Sequence, residues 1–97
     1  MSALALLYII SRIAEERGGR TLSVRELFDH LYELWEKKQY ALYSDYHQVL
    51  NVLDFLESLG LIEIEGEGGE ARLRITDKGY KEVEKVSPFM RERIPLV

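Results

Sequence analysis

The stretch YSDYHQVLNVLDFLESLGLIEIEGEGGEARLRI, Tyr43 to Ile75, changes its hydrophobic period at one glycine. Before it, Tyr46, Val49, Leu50, Leu53, Leu56 and Leu59 recur at spacings of three and four and form one apolar helical face. Val52 and Phe55 widen the arc, so a helix over 43–59 is expected to be covered on more than half its girth. Ser44 is placed to cap that helix by accepting from N–H groups of the first turn. Gly60 stands where a left-handed cap is needed, a conformation glycine adopts without steric cost. After it the period becomes two. Ile62 and Ile64 alternate with Glu63 and Glu65, and Leu73 and Ile75 alternate with Arg72 and Arg74. Gly66 to Glu70 between them is a turn signal. A one-residue slip would invert every side chain. The hairpin is therefore expected to pair Glu65 with Arg72, Ile64 with Leu73, Glu63 with Arg74 and Ile62 with Ile75.

Upstream, Ser2 to Arg17 reads as a helix with two apolar faces, one through Leu4, Leu7, Tyr8 and Ala14 and one through Leu6, Ile9 and Ile13. Its second cover comes either from another copy or from the C-terminal segment, and periodicity does not separate the two. Gly18 and Gly19 end it. Arg20 to Leu22 is short and extended, a candidate third strand. Ser23-Val24-Arg25-Glu26 has the form of a capping box opening a second helix, Val24 to about Lys38. Its core face is Val24, Leu27, Phe28, Leu31, Leu34 and Trp35. Downstream, Thr76 is placed to cap a last helix, Asp77 to Val86, with Asp77 at the positive end. Pro88 is expected to stop that helix. The apolar tail 87–97, with Phe89 and Ile94, is expected to dock on its own domain (1–86) or on a partner.

Ninety-seven residues suit one domain with a modest core. Without cysteine there is neither a disulfide framework nor a thiolate metal site. One Asn and two Gln amid many charged residues fit a heat-adapted cytoplasmic protein. The apolar run Ala3 to Ile10 is too short to span a membrane. The net charge of −4 lowers the expectation of broad nucleic-acid affinity.

The expected class is mainly α with a small β-hairpin (α+β), in the order helix, short strand, helix, helix, strand, strand, helix. This order resembles the winged-helix superfamily, a winged helix-turn-helix. "LDFLESLGLIEIEG", Leu53 to Gly66, resembles the end of the recognition helix and first wing strand of MarR-like and PadR-like regulators. "RLRITDKGYKEVE", Arg72 to Glu84, resembles their second wing strand and following helix. A weaker resemblance is to the C-terminal winged helix of archaeal replication initiators. The resemblance implies a small transcription regulator that lays a helix in the major groove of double-stranded DNA, with the wing on the backbone or minor groove. By position, Ser44, Asp45, His47, Gln48 and Asn51 would read bases, and Arg25, Lys37, Lys38, Arg72, Arg74 and Lys78 would hold phosphates. Separately, the second apolar face of the first helix and the apolar tail make a homodimer the expectation, with Leu6, Ile9, Ile13, Phe89 and Ile94 at its interface.

The charges depart from that pattern. No Lys or Arg occurs between Lys38 and Arg72, a region holding Asp45, Asp54, Glu57, Glu63, Glu65, Glu67 and Glu70. This favours a second reading, a winged helix used as a protein-interaction module whose acidic face docks a basic partner. Arg72 and Arg74 also face Glu63 and Glu65, as ordinary cross-strand pairs do. Tyr40, Tyr43 and Tyr46 suit half-buried packing as well as base stacking. Asp29, His30 and Glu33 share a helix turn, but without further ligands they read as a solvated face. No catalytic constellation or phosphate loop stands out, so the expectation is a non-enzyme without cofactor or metal.

Overall fold

A computed structural model of the chain describes residues 3–36 and 46–93, without the side chains of Trp35, Tyr46 and residues 90–93. The described elements are α1 (Ala3–Glu16), β1 (Thr21–Ser23), α2 (Val24–Glu36), α3 (Tyr46–Ser58), β2 (Ile62–Glu65), a 3-10 turn (Gly68–Glu70), β3 (Arg72–Ile75) and α4 (Asp77–Arg93). The protein is α+β: four helices and a small antiparallel sheet of order β1-β3-β2 among the described residues.

The hairpin register is the one that alternation requires. Glu65 faces Arg72, Ile64 faces Leu73, Glu63 faces Arg74 and Ile62 faces Ile75. Leu73, Ile75 and Ile62 turn inward and are buried. β1 pairs with the other edge of β3, Leu22 opposite Leu73. It begins one residue later than expected, although the Arg20 carbonyl still accepts from the Ile75 N–H at 3.2 Å.

α1 is the centre of the core. It packs against α3, α4 and β1 of its own chain, and every residue from Ala5 to Ser11 is buried. Leu6 and Ile9 are 0% exposed and Ile13 is 2% exposed. This corrects their assignment to a dimer interface: the chain supplies the second cover itself. Each such side chain contributes roughly 1.5–3 kcal/mol by leaving water. Of the other interface candidates, Phe89 is exposed and Ile94 lies outside the described residues.

Caps set the helix ends. The Glu26 N–H donates to Ser23 Oγ at 3.1 Å, the expected N-cap of α2. The reciprocal half of the capping box is replaced, because the Glu26 carboxylate pairs with Arg17. α3 ends in a Schellman motif: Leu61 N–H reaches the Leu56 carbonyl at 3.1 Å and Gly60 N–H the Glu57 carbonyl at 2.9 Å, with Gly60 at φ 75°. The buried pair Leu56 and Leu61 closes that turn.

α4 opens against this turn. Gly79 N–H donates to Thr76 Oγ1 at 3.0 Å, while the Thr76 hydroxyl donates to the Gly60 carbonyl at 2.7 Å. A Cβ on Gly79 would stand 2.2 Å from the Leu61 carbonyl oxygen, so glycine early in this helix permits the close approach. The helix then runs through Pro88 to Arg93, correcting the expected stop at Val86. Pro88 withholds one N–H from the Glu84 carbonyl, but both residues are exposed and water can serve that carbonyl.

Candidate functional site

α3 is anchored by Val49, Leu53 and Leu56, all buried. Its opposite side presents His47, Gln48, Asn51, Asp54, Phe55 and Ser58 to solvent. The candidates His47, Gln48 and Asn51 thus share one accessible surface. Ser44 and Asp45 lie outside the described residues, as do Lys37, Lys38, Tyr40 and Tyr43.

Two large apolar side chains on this helix were expected to be covered and are not. Phe55 is 54% exposed and Leu59, just past the helix end, is 42% exposed. At 3.6 residues per turn, Phe55 points about 130° and Leu59 about 90° away from the centre of the buried trio. That offset was present in the spacing, as the signal for a second, outward apolar edge. The two residues are one turn apart, with half-buried Val52 behind them.

The cations available to this surface are largely committed within the chain. Arg25 Nη2 lies 3.1 Å from Glu70 Oε1, and its side chain passes 3.3 Å from the site of a Cβ on Gly69. The hairpin tip is therefore folded against the start of α2. Arg74 pairs with Glu63 at 3.2 Å, the expected cross-strand pair. Arg72 donates to Thr21 Oγ1 at 3.1 Å, and Lys78 Nζ donates to the Leu59 carbonyl at 2.8 Å, where a cation meets the negative end of α3. Arg20 holds Asp77 at 2.7 Å and lies over the Tyr80 ring. That hydrogen bond keeps the Asp77 carboxyl below its ordinary value. Burial pushes the Tyr80 phenol up.

The acidic groups are partly structural. Glu57 Oε2 accepts from the Ile64 N–H at 3.1 Å, occupying a donor on the outer edge of β2. Asp54 and Glu65 are exposed. Between α3 and the hairpin runs an open groove of about 180 Å³, lined by Leu50, Leu53, Asp54, Ile64 and Ala71. Sequence reasoning did not find it, because it joins residues of α2, α3 and the hairpin, whose spacing is set by packing. Among the described residues, no three His, Asp or Glu side chains gather to hold a metal, and His30 Nδ1 lies 3.0 Å from the Glu26 carbonyl. No described helix is long and apolar enough to cross a membrane.

No family model, curated protein or solved structure matches the chain.

Proposed function

We propose that this chain is a winged-helix domain used as a protein-docking module, with the outer surface of α3 as its contact face. The helix order and the three-stranded sheet support the winged-helix reading, with α3 as the second helix of the helix-turn-helix and β2–β3 as the wing. One observation carries the docking reading. Phe55 and Leu59 stand exposed on a surface that also holds Asp54, with no Lys or Arg anywhere in α3. Duplex affinity comes largely from cations at phosphates. Interfaces between proteins instead favour exposed aromatic anchors and complementary charge. A partner suited to this face carries apolar side chains and positive charge.

A second reading, a DNA-binding regulator, is favoured by a different observation: Gln48 and Asn51 are exposed beside His47, and both amides can pair bidentately with adenine. Its cations would act from the flanks, through Lys37, Lys38 and Arg72. In that case Gln48→Ala or Asn51→Ala costs about 1–3 kcal/mol on a preferred site and little on random duplex. Removing Lys37 and Lys38 together flattens the slope of log affinity against log salt by about two.

A low-salt fluorescence titration of the chain with labelled duplex fragments separates the readings. The docking module gives no binding at tens of micromolar protein. Binding with a steep salt dependence overturns it in favour of the regulator.

A further inference from the structure

We propose that the groove between α3 and the β2–β3 turn holds one aliphatic side chain of a basic peptide segment in the partner; this rests on the docking-module reading and names the partner's chemistry. The floor is apolar: Val24 from the start of α2, Leu50 and Leu53 from α3, Ile64 from β2 and Ala71 just before β3. Its volume of about 180 Å³ suits one side chain rather than a packed element. An apolar cavity of roughly 150 Å³ is enough for a benzene. The rim has one sign. Asp54 lines the groove, Glu67 lies exposed on the adjoining turn between Gly66 and Gly68, which also line it, and no Lys or Arg occurs from residue 46 to residue 71. The nearby cation Arg25 is held by Glu70. An aliphatic side chain flanked by lysines or arginines complements both floor and rim.

The same geometry selects the mode of docking. β2 is an edge of the sheet, where an extended peptide could add as a further strand. The Ile64 N–H that such a strand would need is already taken by Glu57 Oε2. The peptide is therefore held by its inserted side chain and flanking charge, not by strand addition.

The test is an amide-resolved NMR titration of the full chain with three blocked peptides: a leucine between two runs of four lysines, a serine between the same runs, and a leucine between two runs of four glutamates. The leucine–lysine peptide is expected to shift the amides of Leu50, Ile64 and Ala71. Loss of the buried leucine should weaken the serine peptide about tenfold. The glutamate peptide should not bind. Ile64→Phe, which fills the groove, and Asp54→Asn, which removes rim charge at an exposed position, should each weaken the leucine–lysine peptide at least several-fold. Should Ile64→Phe fail to fold, Asp54→Asn and the serine peptide still decide. Equal binding of the leucine and serine peptides overturns the groove, as does the absence of any shift. Shifts confined to Phe55 and Leu59 overturn the groove but leave the docking module standing. Duplex binding without peptide binding overturns both.

Discussion

α1 and α3 carry the same kind of sequence and end in different environments. Both have apolar arcs wider than one helix face, and both close with a glycine at positive φ. α1 is enclosed by α3, α4 and β1, so its excess apolar residues complete the core. α3 is covered on one side only, and its excess, Phe55 and Leu59, faces solvent. Arc width therefore measures how much a helix wants covered. What the chain has left to cover it with decides whether the remainder becomes core or contact surface.

The largest expected effect breaks this contrast if it is absent. Leu6→Ala should destabilise the fold by about 2–5 kcal/mol in urea unfolding, because the site is closed on every side. Phe55→Ala should change stability by less than about 0.5 kcal/mol, as exposed positions do. Similar losses at both would mean that α3 is covered as fully as α1.

The next prediction sharpens the contrast at the joint that leaves the outer side of α3 uncovered. Gly79→Ala would ordinarily stabilise a helix interior by roughly 0.5–1 kcal/mol. Here the added methyl meets the Leu61 carbonyl at 2.2 Å, so a net loss of about 1–3 kcal/mol is expected in the same measurement. A gain would mean that α4 does not press on the end of α3. Thr76→Ala should cost about 0.5–2 kcal/mol, since it removes the α4 cap and the bond to the Gly60 carbonyl together. An unchanged unfolding midpoint would contradict that double role.

The smallest effect is a pH dependence. Arg20 holds the Asp77 carboxyl below its ordinary value in the folded chain. Its contribution is thus fully present above the unfolded value and is lost as the pH falls through the folded one. The pair is exposed, so the contribution is small. Asp77→Asn should flatten the acid side of the curve of urea midpoint against pH and leave its neutral side nearly unchanged. Identical acid limbs would show that the pair is not linked to folding.

The parts of the fold legible in the sequence are those fixed by local rules. Strand alternation set the register of Ile62 to Glu65 against Arg72 to Ile75. Gly60 marked the end of α3, and Thr76 and Ser23 marked helix starts. What escaped depended on cover and on solvent. Pro88 failed to stop α4 because its missing hydrogen bond falls at an exposed position. Leu6, Ile9 and Ile13 read as an interface because periodicity does not say which element lies opposite. At the candidate surface, the exposure of His47, Gln48 and Asn51 follows from their polar spacing. The commitment of Arg25 to Glu70 does not, since it depends on the hairpin tip folding back onto α2.

The central claim is that the outer surface of α3 meets protein. A photo-crosslinking residue at Asn51, in the centre of that surface, tests it inside cells that make the chain. The account predicts adducts that resist nuclease, are destroyed by protease and disappear when Asp54 is replaced by Lys. Adducts that nuclease destroys, unaffected by Asp54→Lys, would contradict it.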